Sequence, residues 1–416
     1  MKYLYHYLFL TTSLILLGSC TKDTLPGTDT TTPPSLETDT GAEAFEGWIR
    51  VKFKSGNDEI APVVTKSGAL STGLASVDNA ALALGARQMK RVFPPAGRFE
   101  ERTRKEGLHL WYDLYFDESI PVSKAVSDFR QLPEVAVAEP IYKASLIHPS
   151  APVEVSETTT ISRASQNAPY NDPLLSNQWH YDNDGTLPDA LAGADINLFR
   201  AWEITQGSPE VIVAVVDGGV DYAHEDLQGN VVNPAELNGQ PGIDDDGNGY
   251  IDDVYGWNFY SGSNQVYTGS EDSHGTHGAG TIAAHADNDI GIAGIVRSDH
   301  VKVMAVKALG GWDGSGSTAS IIRAIQYAEA NGARICNLSL GSSRNDPALY
   351  RTIAASDMLF VVAAGNDGAD LELAPSYPAS YHLDNLITVA NLRYDGNLDP
   401  TSSYGASSVD LAAPGP

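Results

Sequence analysis

Short, mostly apolar runs recur through the second half of the chain without regular polar alternation. They lie at residues 211–216, 301–308, 335–340, 359–364 and 386–390. Such runs are typical of central parallel strands, because both faces of those strands are buried. Residues 318–331 have helical spacing, with Ser317 or Thr318 as the N-cap and Gly332 just past the end. The succession of buried strands and helices predicts a doubly wound, mostly parallel α/β sheet over residues 174–416.

A different pattern covers residues 45–146. Residues 48–53 alternate apolar and polar as a strand does, and residues 108–116 and 135–140 are further strand candidates. Residues 122–132 have the spacing of an amphipathic helix. Strand, helix and strand in so short a stretch predict a small α+β domain in front of the α/β domain.

Polar stretches rich in Thr, Pro and Ser lie on both sides of this unit. Residues 21–44 hold hardly an aliphatic side chain and cannot bury a core, which predicts an extended tether. Residues 147–173 predict an exposed linker, in which proteolytic processing would concentrate.

The residues in front of the tether, 1–20, have the pattern of an export signal. Lys2 precedes an apolar stretch at residues 4–17 that is short for a membrane-spanning helix. The stretch ends in LGSC, which resembles the lipobox of bacterial lipoproteins. The resemblance implies a lipid on Cys20, so the exported chain would be anchored to a bacterial membrane at the cell envelope or surface. An ordinary secretory signal with a chance cysteine is the alternative.

Charge and cysteine content narrow the possible partners. A formal net charge of −27 disfavours nucleic acid and anionic membrane surfaces, because both would repel the chain. If Cys20 carries lipid, Cys336 has no partner for a disulfide within the chain. Cys336 lies in an apolar run, where a small buried side chain is expected rather than a reactive thiol.

Candidate chemistry lies at the ends of the predicted elements. Asp217 closes an apolar run, where a carboxylate is costly unless it is used, although a turn-forming Asp before two glycines would look the same. His274 opens a run of small residues that would seat a helix closely against the sheet. His277 follows three residues later with no HExxH glutamate, so we discount a zinc site.

Five sequence blocks in a fixed order resemble those of the subtilisin-like serine proteases (subtilases). They are Asp217-Gly218-Gly219, His274-Gly275-Thr276-His277, NLSLG at residues 337–341, AAGN at residues 363–366 and LAAPG at residues 411–415. The resemblance covers residues from about 172 to 416 and implies a serine endopeptidase that hydrolyses peptide bonds in proteins. Asp217 would orient His274, His274 would take the proton of the serine, and Asn366 would donate to the oxyanion hole.

The resemblance also implies two substrate-binding segments. These are an edge strand that pairs with extended substrate (Gly314, Ser315, Gly316) and the wall of the primary specificity pocket (Ser339, Leu340, Gly341). Residues 45–146 resemble the inhibitory propeptide of subtilases, which would occupy the active-site cleft until it is cut away. An unrelated accessory domain or an inhibitor acting in trans are the alternatives. Gly218 and Gly278 depart from the residues usual in the family, which affects local packing only.

The family's Gly-Thr-Ser-Met-Ala block, which carries the nucleophile, would follow residues 411–415 and is not among residues 1–416. We therefore expect the parent protein to be a serine endopeptidase and residues 1–416 alone to be inert. The alternative is a non-catalytic, calcium-stabilised surface lipoprotein that binds peptides without cutting them. Intact Asp217, His274 and Asn366 argue against that alternative.

A calcium site is expected in the acidic stretch DDDGNGYIDD at residues 244–253. It matches the start of an EF-hand loop, with oxygen ligands at alternate positions and Gly at the sixth, although Tyr255 replaces the closing Glu. So many carboxylates would repel one another without a cation, which favours structural Ca²⁺ over a solvated acidic turn. The ligands would be Asp244, Asp246, Asn248, the Tyr250 carbonyl and Asp252.

Overall fold

The computed structural model describes residues 44–57, 60–95, 97–147, 170–234, 236–297 and 300–415. The expected export signal, the lipid attachment at Cys20 and the tether up to residue 43 lie outside the described residues, as does most of the expected linker (148–169). Among the described residues, no helix has the length and apolar character needed to cross a bilayer. We refer to residues 44–147 as the N-terminal segment and to residues 170–415 as the α/β segment.

The N-terminal segment contains an antiparallel sheet and three helices. Its strands are β1 (Ala44–Phe53), β2 (Val63–Val64), β3 (Leu70–Ser71), β4 (Gln88–Arg91), β5 (Trp111–Tyr115) and β6 (Val135–Leu146). Its helices are α1 (Ala75–Ala83), α2 (Glu100–Lys105) and α3 (Val122–Arg130). The strand order is β6-β1-β5-β4, and β2 and β3 form a separate small hairpin.

Alternation along β1 explains how this sheet is covered on both faces. Ile49, Val51 and Phe53 are fully buried in an apolar core that includes Phe129 of α3. Arg50 points to the opposite face and is also fully buried. The face of β1 that carries Arg50 is therefore covered by the α/β segment, where Arg50 contacts Asp346.

Two strand predictions in this segment differ from the structure. Residues 108–110 form a 3₁₀ turn rather than the start of a strand, because Gly107 in front of them has a left-handed φ of 66°, which is not an extended conformation. The last strand runs to Leu146 instead of ending near residue 140. Its extra residues pair with strands of the α/β segment, and such distant pairing leaves no local pattern in the sequence.

The α/β segment contains nine strands and four helices among its described residues. The strands are β7 (Ile212–Asp217), β8 (Gly256–Asn258), β9 (Lys302–Lys307), β10 (Ser315–Ser317), β11 (Ile335–Leu338), β12 (Leu340–Gly341), β13 (Leu359–Ala363), β14 (Leu386–Leu392) and β15 (Leu411–Pro414). The helices are α4 (Leu198–Trp202), α5 (Ser273–Ala283), α6 (Thr318–Ala330) and α7 (Pro347–Ala354).

Seven of these strands form a parallel sheet in the order β15-β14-β13-β11-β7-β9-β8. The predicted α/β fold class is confirmed, and the strands follow the apolar runs closely. Helix α6 begins where expected, since Ser317 Oγ accepts a hydrogen bond from the Ser320 amide at 3.0 Å. Its buried face packs into the same core as Val216 and Phe360 of the sheet.

Strand β6 joins the two segments. Its residues Lys143, Ala144 and Ser145 pair antiparallel with Ser317, Gly316 and Ser315 of β10. On the other edge, Ser145 and Leu146 pair antiparallel with Gly341 and Leu340 of β12. The end of the N-terminal segment is thus held between two strands of the α/β segment.

Candidate active site

The structure brings Asp217 and His274 into direct contact. Asp217 is the last residue of β7 and is 2% exposed, while His274 lies in the first turn of α5. The Nδ1 atom of His274 lies 2.9 Å from Asp217 Oδ1 and 3.0 Å from Asp217 Oδ2. A carboxylate in this position fixes the orientation of the imidazole and stabilises its cationic form.

Small residues after His274 allow this contact. A Cβ atom on Gly275 would lie 2.2 Å from the Gly219 carbonyl oxygen and 3.0 Å from Asp217 Oδ1. A Cβ atom on Gly219 would lie 2.6 Å from Cγ of Asp272, and its φ of 126° is itself one that favours glycine. The turn after β7 and the start of α5 therefore approach each other to a distance that only glycine permits.

The second ring nitrogen of His274 faces the end of the N-terminal segment. Its Nε2 atom lies 3.1 Å from the carbonyl oxygen of Ile147. Burial lowers the pKa of His274, but the hydrogen bond and charge of Asp217 outweigh it, together with the Ile147 carbonyl, so the pKa lies above its ordinary value of 6.5. Both ring nitrogens face oxygen acceptors, an arrangement that suits the imidazolium ion.

Both predicted substrate-binding segments contact the same stretch of chain. The Leu146 amide donates to the Gly314 carbonyl at 3.0 Å, and the Ile147 amide donates to the Ser339 carbonyl at 3.0 Å. A Cβ atom on Gly341 would lie 3.6 Å from Cδ1 of Ile147, so Gly341 lies beside that side chain. The other predicted residues of these segments, Ser315, Gly316 and Leu340, take part in the strand pairing with β6.

Asn366 lies three residues beyond the carboxyl end of β13 and is half-buried. Strand β13 pairs with β11, which in turn pairs with β7, so Asn366 follows a strand whose carboxyl end is on the same edge of the sheet as Asp217. Ligands of open α/β sheets bind at that edge. The carbonyl of the preceding Gly365 accepts from the Ser403 amide at 2.8 Å, which ties this loop to the chain beyond β14.

A buried ion pair supports the two loops that carry Asp217 and His274, and the sequence reasoning missed it. Lys307 and Asp272 are 2% and 0% exposed, and the ammonium of Lys307 donates to an Asp272 carboxylate oxygen and to the Gly218 carbonyl. Lys307 is the direct register partner of Asp217 on the neighbouring strand. The signal was a lysine at the end of an apolar strand, where an unpaired charge would be costly.

The acidic stretch folds as a loop in which the predicted metal ligands divide into two groups. Asp244 accepts from the Asn248 and Gly249 amides at 3.0 and 2.8 Å, and both carboxylate oxygens of Asp252 accept from the Gly242 amide. Asn248 Oδ1 accepts from the Tyr250 amide at 2.8 Å, while its Nδ2 donates to Asp246 Oδ2 and Asp253 Oδ2 at 3.0 Å, so Asn248 contacts both groups. The hydrogen bonds to backbone amides stabilise turns of the loop itself.

Asp246 instead joins two carboxylates that the sequence reasoning did not select. Oxygen atoms of Glu236, Asp246 and Asp253 lie within 4.8 Å of one another. Asp253 is fully buried, and its Oδ1 atom has no hydrogen-bond partner in the structure. Burial raises the pKa of Asp246 to about 6, with further contributions from the charges of Asp253 and Glu236. A carboxylate cluster with an orphaned buried oxygen fits a hard cation such as Ca²⁺.

Comparison with known proteins identifies the family. Residues 208–416 match the Subtilase family, and residues 50–185 match the N-terminal of the Subtilase family. The chain therefore belongs to the subtilase family.

Two curated proteins are similar to about half of this chain. Halolysin of Haloferax mediterranei is 38% identical over 236 residues, which cover 56% of this chain and 40% of halolysin. Thermitase of Thermoactinomyces vulgaris is 35% identical over 219 residues, which cover 52% of this chain and 66% of thermitase. The match thus spans 40% of the length of halolysin and 66% of that of thermitase.

A solved structure shares the fold. Fervidolysin of Fervidobacterium pennivorans, described as a keratinolytic enzyme related to subtilisin, superposes with a TM-score of 0.59 at 23% identity. The match covers 91% of this chain, including its N-terminal segment, and 48% of fervidolysin.

Proposed function

We propose that this chain is the precursor form of an exported serine endopeptidase, with residues 45–146 as its inhibitory propeptide and residues 174–416 as its peptidase domain. The observation that carries the proposal is the position of Ile147. Its carbonyl faces His274, and the residues before it pair on both edges with the two predicted substrate-binding segments. An extended peptide held by main-chain hydrogen bonds is how a peptidase binds a substrate.

The chemistry follows from this placement. A serine oxygen would attack the Ile147 carbonyl carbon, and its proton would pass to Nε2 of His274, the ring nitrogen that faces the cleft. His274 would then give that proton to the leaving amine of residue 148, which leaves an acyl-enzyme for water to hydrolyse. Asp217 would stabilise the imidazolium between these steps, and the Asn366 side chain would donate to the oxyanion.

We infer that the serine comes from the Gly-Thr-Ser block that the family carries after a segment like residues 411–415. Ser339 and Ser403 lie in blocks with other roles, so neither replaces it. The bond after Ile147 is then the propeptide processing site, within the linker expected at residues 147–173. A branched apolar side chain next to Gly341 favours the same kind of residue before the cleaved bond in protein substrates.

Calcium would stabilise the acidic loop. Glu236, Asp246 and Asp253 would supply carboxylate ligands, and Asp253 Oδ1 would gain the partner that it lacks. Asp244, Asn248, Tyr250 and Asp252 would then shape the loop rather than contribute most of the ligands. The ion would neutralise the charge of these carboxylates and so stabilise the loop.

Export and attachment to a membrane complete the proposal. The pattern of residues 1–20 supports export, and the LGSC sequence supports a lipid on Cys20. Protein or peptide substrates would then be met outside the cytoplasm, and the acidic net charge disfavours nucleic acid as a partner.

Expression of the complete reading frame tests this function. We expect the wild-type product to process itself, to cleave an unstructured protein and to be labelled by a serine-directed phosphonate. His274→Ala should abolish all three, whereas His277→Ala, which changes the neighbouring histidine of the same helix, should keep them. A complete product that is folded but neither labelled nor active would instead support a non-catalytic peptide-binding lipoprotein.

A further inference from the structure

A single buried guanidinium connects the N-terminal segment to the α/β segment. Arg50 of β1 is fully buried, and its Nε donates to Asp113 Oδ1 of β5 at 2.9 Å. Its Nη1 donates to Asp346 Oδ2 of the α/β segment at 2.7 Å, across 296 positions of sequence. Asp113 and Asp346 raise the pKa of Arg50 despite its burial, so the guanidinium stays charged.

Asp346 is committed to two tasks. It is the N-cap of α7, where its Oδ1 accepts from the Ala348 and Leu349 amides at 2.8 and 3.0 Å. Its Oδ2 is left for Arg50. Without the N-terminal segment this carboxylate oxygen would have no cation in the contact that Arg50 now makes. The start of α7 is therefore a recognition surface for one correctly placed guanidinium.

A third carboxylate makes the cluster unbalanced. In the antiparallel register, Arg50 lies between Asp113 of β5 and Glu139 of β6, so the three side chains form one row across the sheet. The Oε1 atom of Glu139 is enclosed and has no hydrogen-bond partner. One guanidinium thus meets three carboxyl groups. Arg50 and Asp346 are buried and Glu139 is half-buried, so a second unpaired negative charge is costly there.

Glu139 is the member of this cluster that can give up its charge. Burial, followed by the charge of Asp346, raises its pKa to about 8, against the opposing effect of Arg50. Asp113 of β5 also raises the pKa of Glu139, while Arg130 of α3 lowers it. Two tyrosines, Tyr142 and Tyr381, also interact electrostatically with Glu139.

We propose that the N-terminal segment docks on the α6–α7 face through a proton-linked charge cluster, in which Arg50 pairs with Asp346 and Glu139 takes up a proton as the interface closes. This inference rests on the proposal that the segment is an inhibitory propeptide. It adds a recognition residue and a control by pH, and neither depends on catalysis.

The sign of the pH effect follows from Glu139. Its pKa is about 8 in the closed structure and near its ordinary 4.5 once the sheet face is open to water, so closure binds a proton. Closure is therefore fully favoured at low pH and is weakened as pH rises from about 4.5 to about 8. One linked proton changes the opening constant by up to about tenfold per pH unit in that window.

Hydrogen exchange on the whole 416-residue chain tests the proposal without any cleavage. The readout is the protection of residues 141–147, corrected for intrinsic rates, between pH 5 and pH 8. In the wild type, opening should increase with pH by up to about tenfold per unit. His274 also contributes to this slope, because its Nε2 faces the Ile147 carbonyl. Glu139→Gln should therefore reduce the slope to the part that His274 carries and increase protection at pH 8, whereas Glu46→Gln, an exposed change on β1, should follow the wild type.

A second variant keeps the test decisive if Glu139→Gln does not fold. Asp346→Asn retains an N-cap side chain but removes the charge, so opening of residues 141–147 at pH 6 should rise by about tenfold or more. Exchange of residues 111–115 in the N-terminal core should not change. An unaltered pH slope in Glu139→Gln, or unaltered opening in Asp346→Asn, would overturn the proposal. A lack of peptidase activity in the complete product would overturn the proposed function but not this inference.

Discussion

The two halves of β6 are held in different ways. Residues 135–140 pair with β1, and Val135 and Ala138 are buried in the core of the N-terminal segment. Residues 143–146 leave that sheet and pair with β10 and β12 of the α/β segment. One strand is thus part of a folded core at its start and lies in a cleft at its end.

The first half of β6 contributes to the folding of the N-terminal segment, whereas the second half is bound as a peptide would be. The first half is fixed by apolar side chains, so its sequence is constrained by packing. The second half is held by main-chain pairing with β10 and β12, which any extended peptide could make, and by Ala144 and Leu146, whose side chains are buried in the core of the α/β segment. A substrate could therefore replace the second half once the first half is released, and the strength of docking outside the cleft decides when that happens.

The largest expected effect on the free energy of unfolding concerns the loops of Asp217 and His274, which lie beside the second half of β6. Lys307→Met leaves Asp272 as an unpaired buried carboxylate between the turns of Asp217 and His274. We expect a loss of about 3–5 kcal/mol in the free energy of unfolding. Denaturant unfolding of the 416-residue chain measures it, with Lys302→Met on the same strand as the control, because Lys302 is partly exposed. Equal losses in both variants would remove the pair from the account.

A truncation in the N-terminal core should affect the first half of β6, which packs in that core. Phe129 of α3 is fully buried in the N-terminal core, so Phe129→Ala should cost about 3–5 kcal/mol locally. Hydrogen exchange should show residues 49–53 and 111–115 losing protection, while residues 335–338 of the parallel sheet stay protected. Loss of protection in both sheets together would contradict the distinction between the two halves.

The smallest effect concerns calcium, which should stabilise only the α/β segment. At about 100 times its Kd, calcium should add about 2.7 kcal/mol to the free energy of unfolding. Asp253→Asn removes the buried carboxylate with the orphaned oxygen and should abolish this gain. Asp252→Asn should largely keep it, because Asp252 accepts from the Gly242 amide. The reverse result would favour the EF-hand ligand set expected from spacing.

The sequence predicted those features that depend on residues close to one another along the chain. Apolar runs indicated the parallel strands, and the blocks around Asp217, His274 and Asn366 indicated the family, because each is a local arrangement of a few residues. The metal ligands were only partly predicted. Glu236 and Asp253 approach Asp246 through the folding of the whole loop, and regular alternation along the chain does not reveal this.

Contacts between residues far apart in the chain could not be predicted from the sequence for the same reason. The pairing of Arg50 with Asp346 and the contact of Ile147 with His274 each join two segments that pack only in the folded chain. Lys307 is intermediate, because its register partner Asp217 lies on a neighbouring strand. A charged residue closing a buried strand was visible in the sequence, but its partner was not.

The most direct test of the account is the position of the cut. The complete reading frame should be expressed, and the termini of the processed product determined by mass spectrometry and N-terminal sequencing. We expect the released N-terminal fragment to end at Ile147 and the mature chain to begin at residue 148, with no cut in His274→Ala. A self-processed product that begins at any other residue would contradict the placement of Ile147 as the substrate-like residue of the cleft.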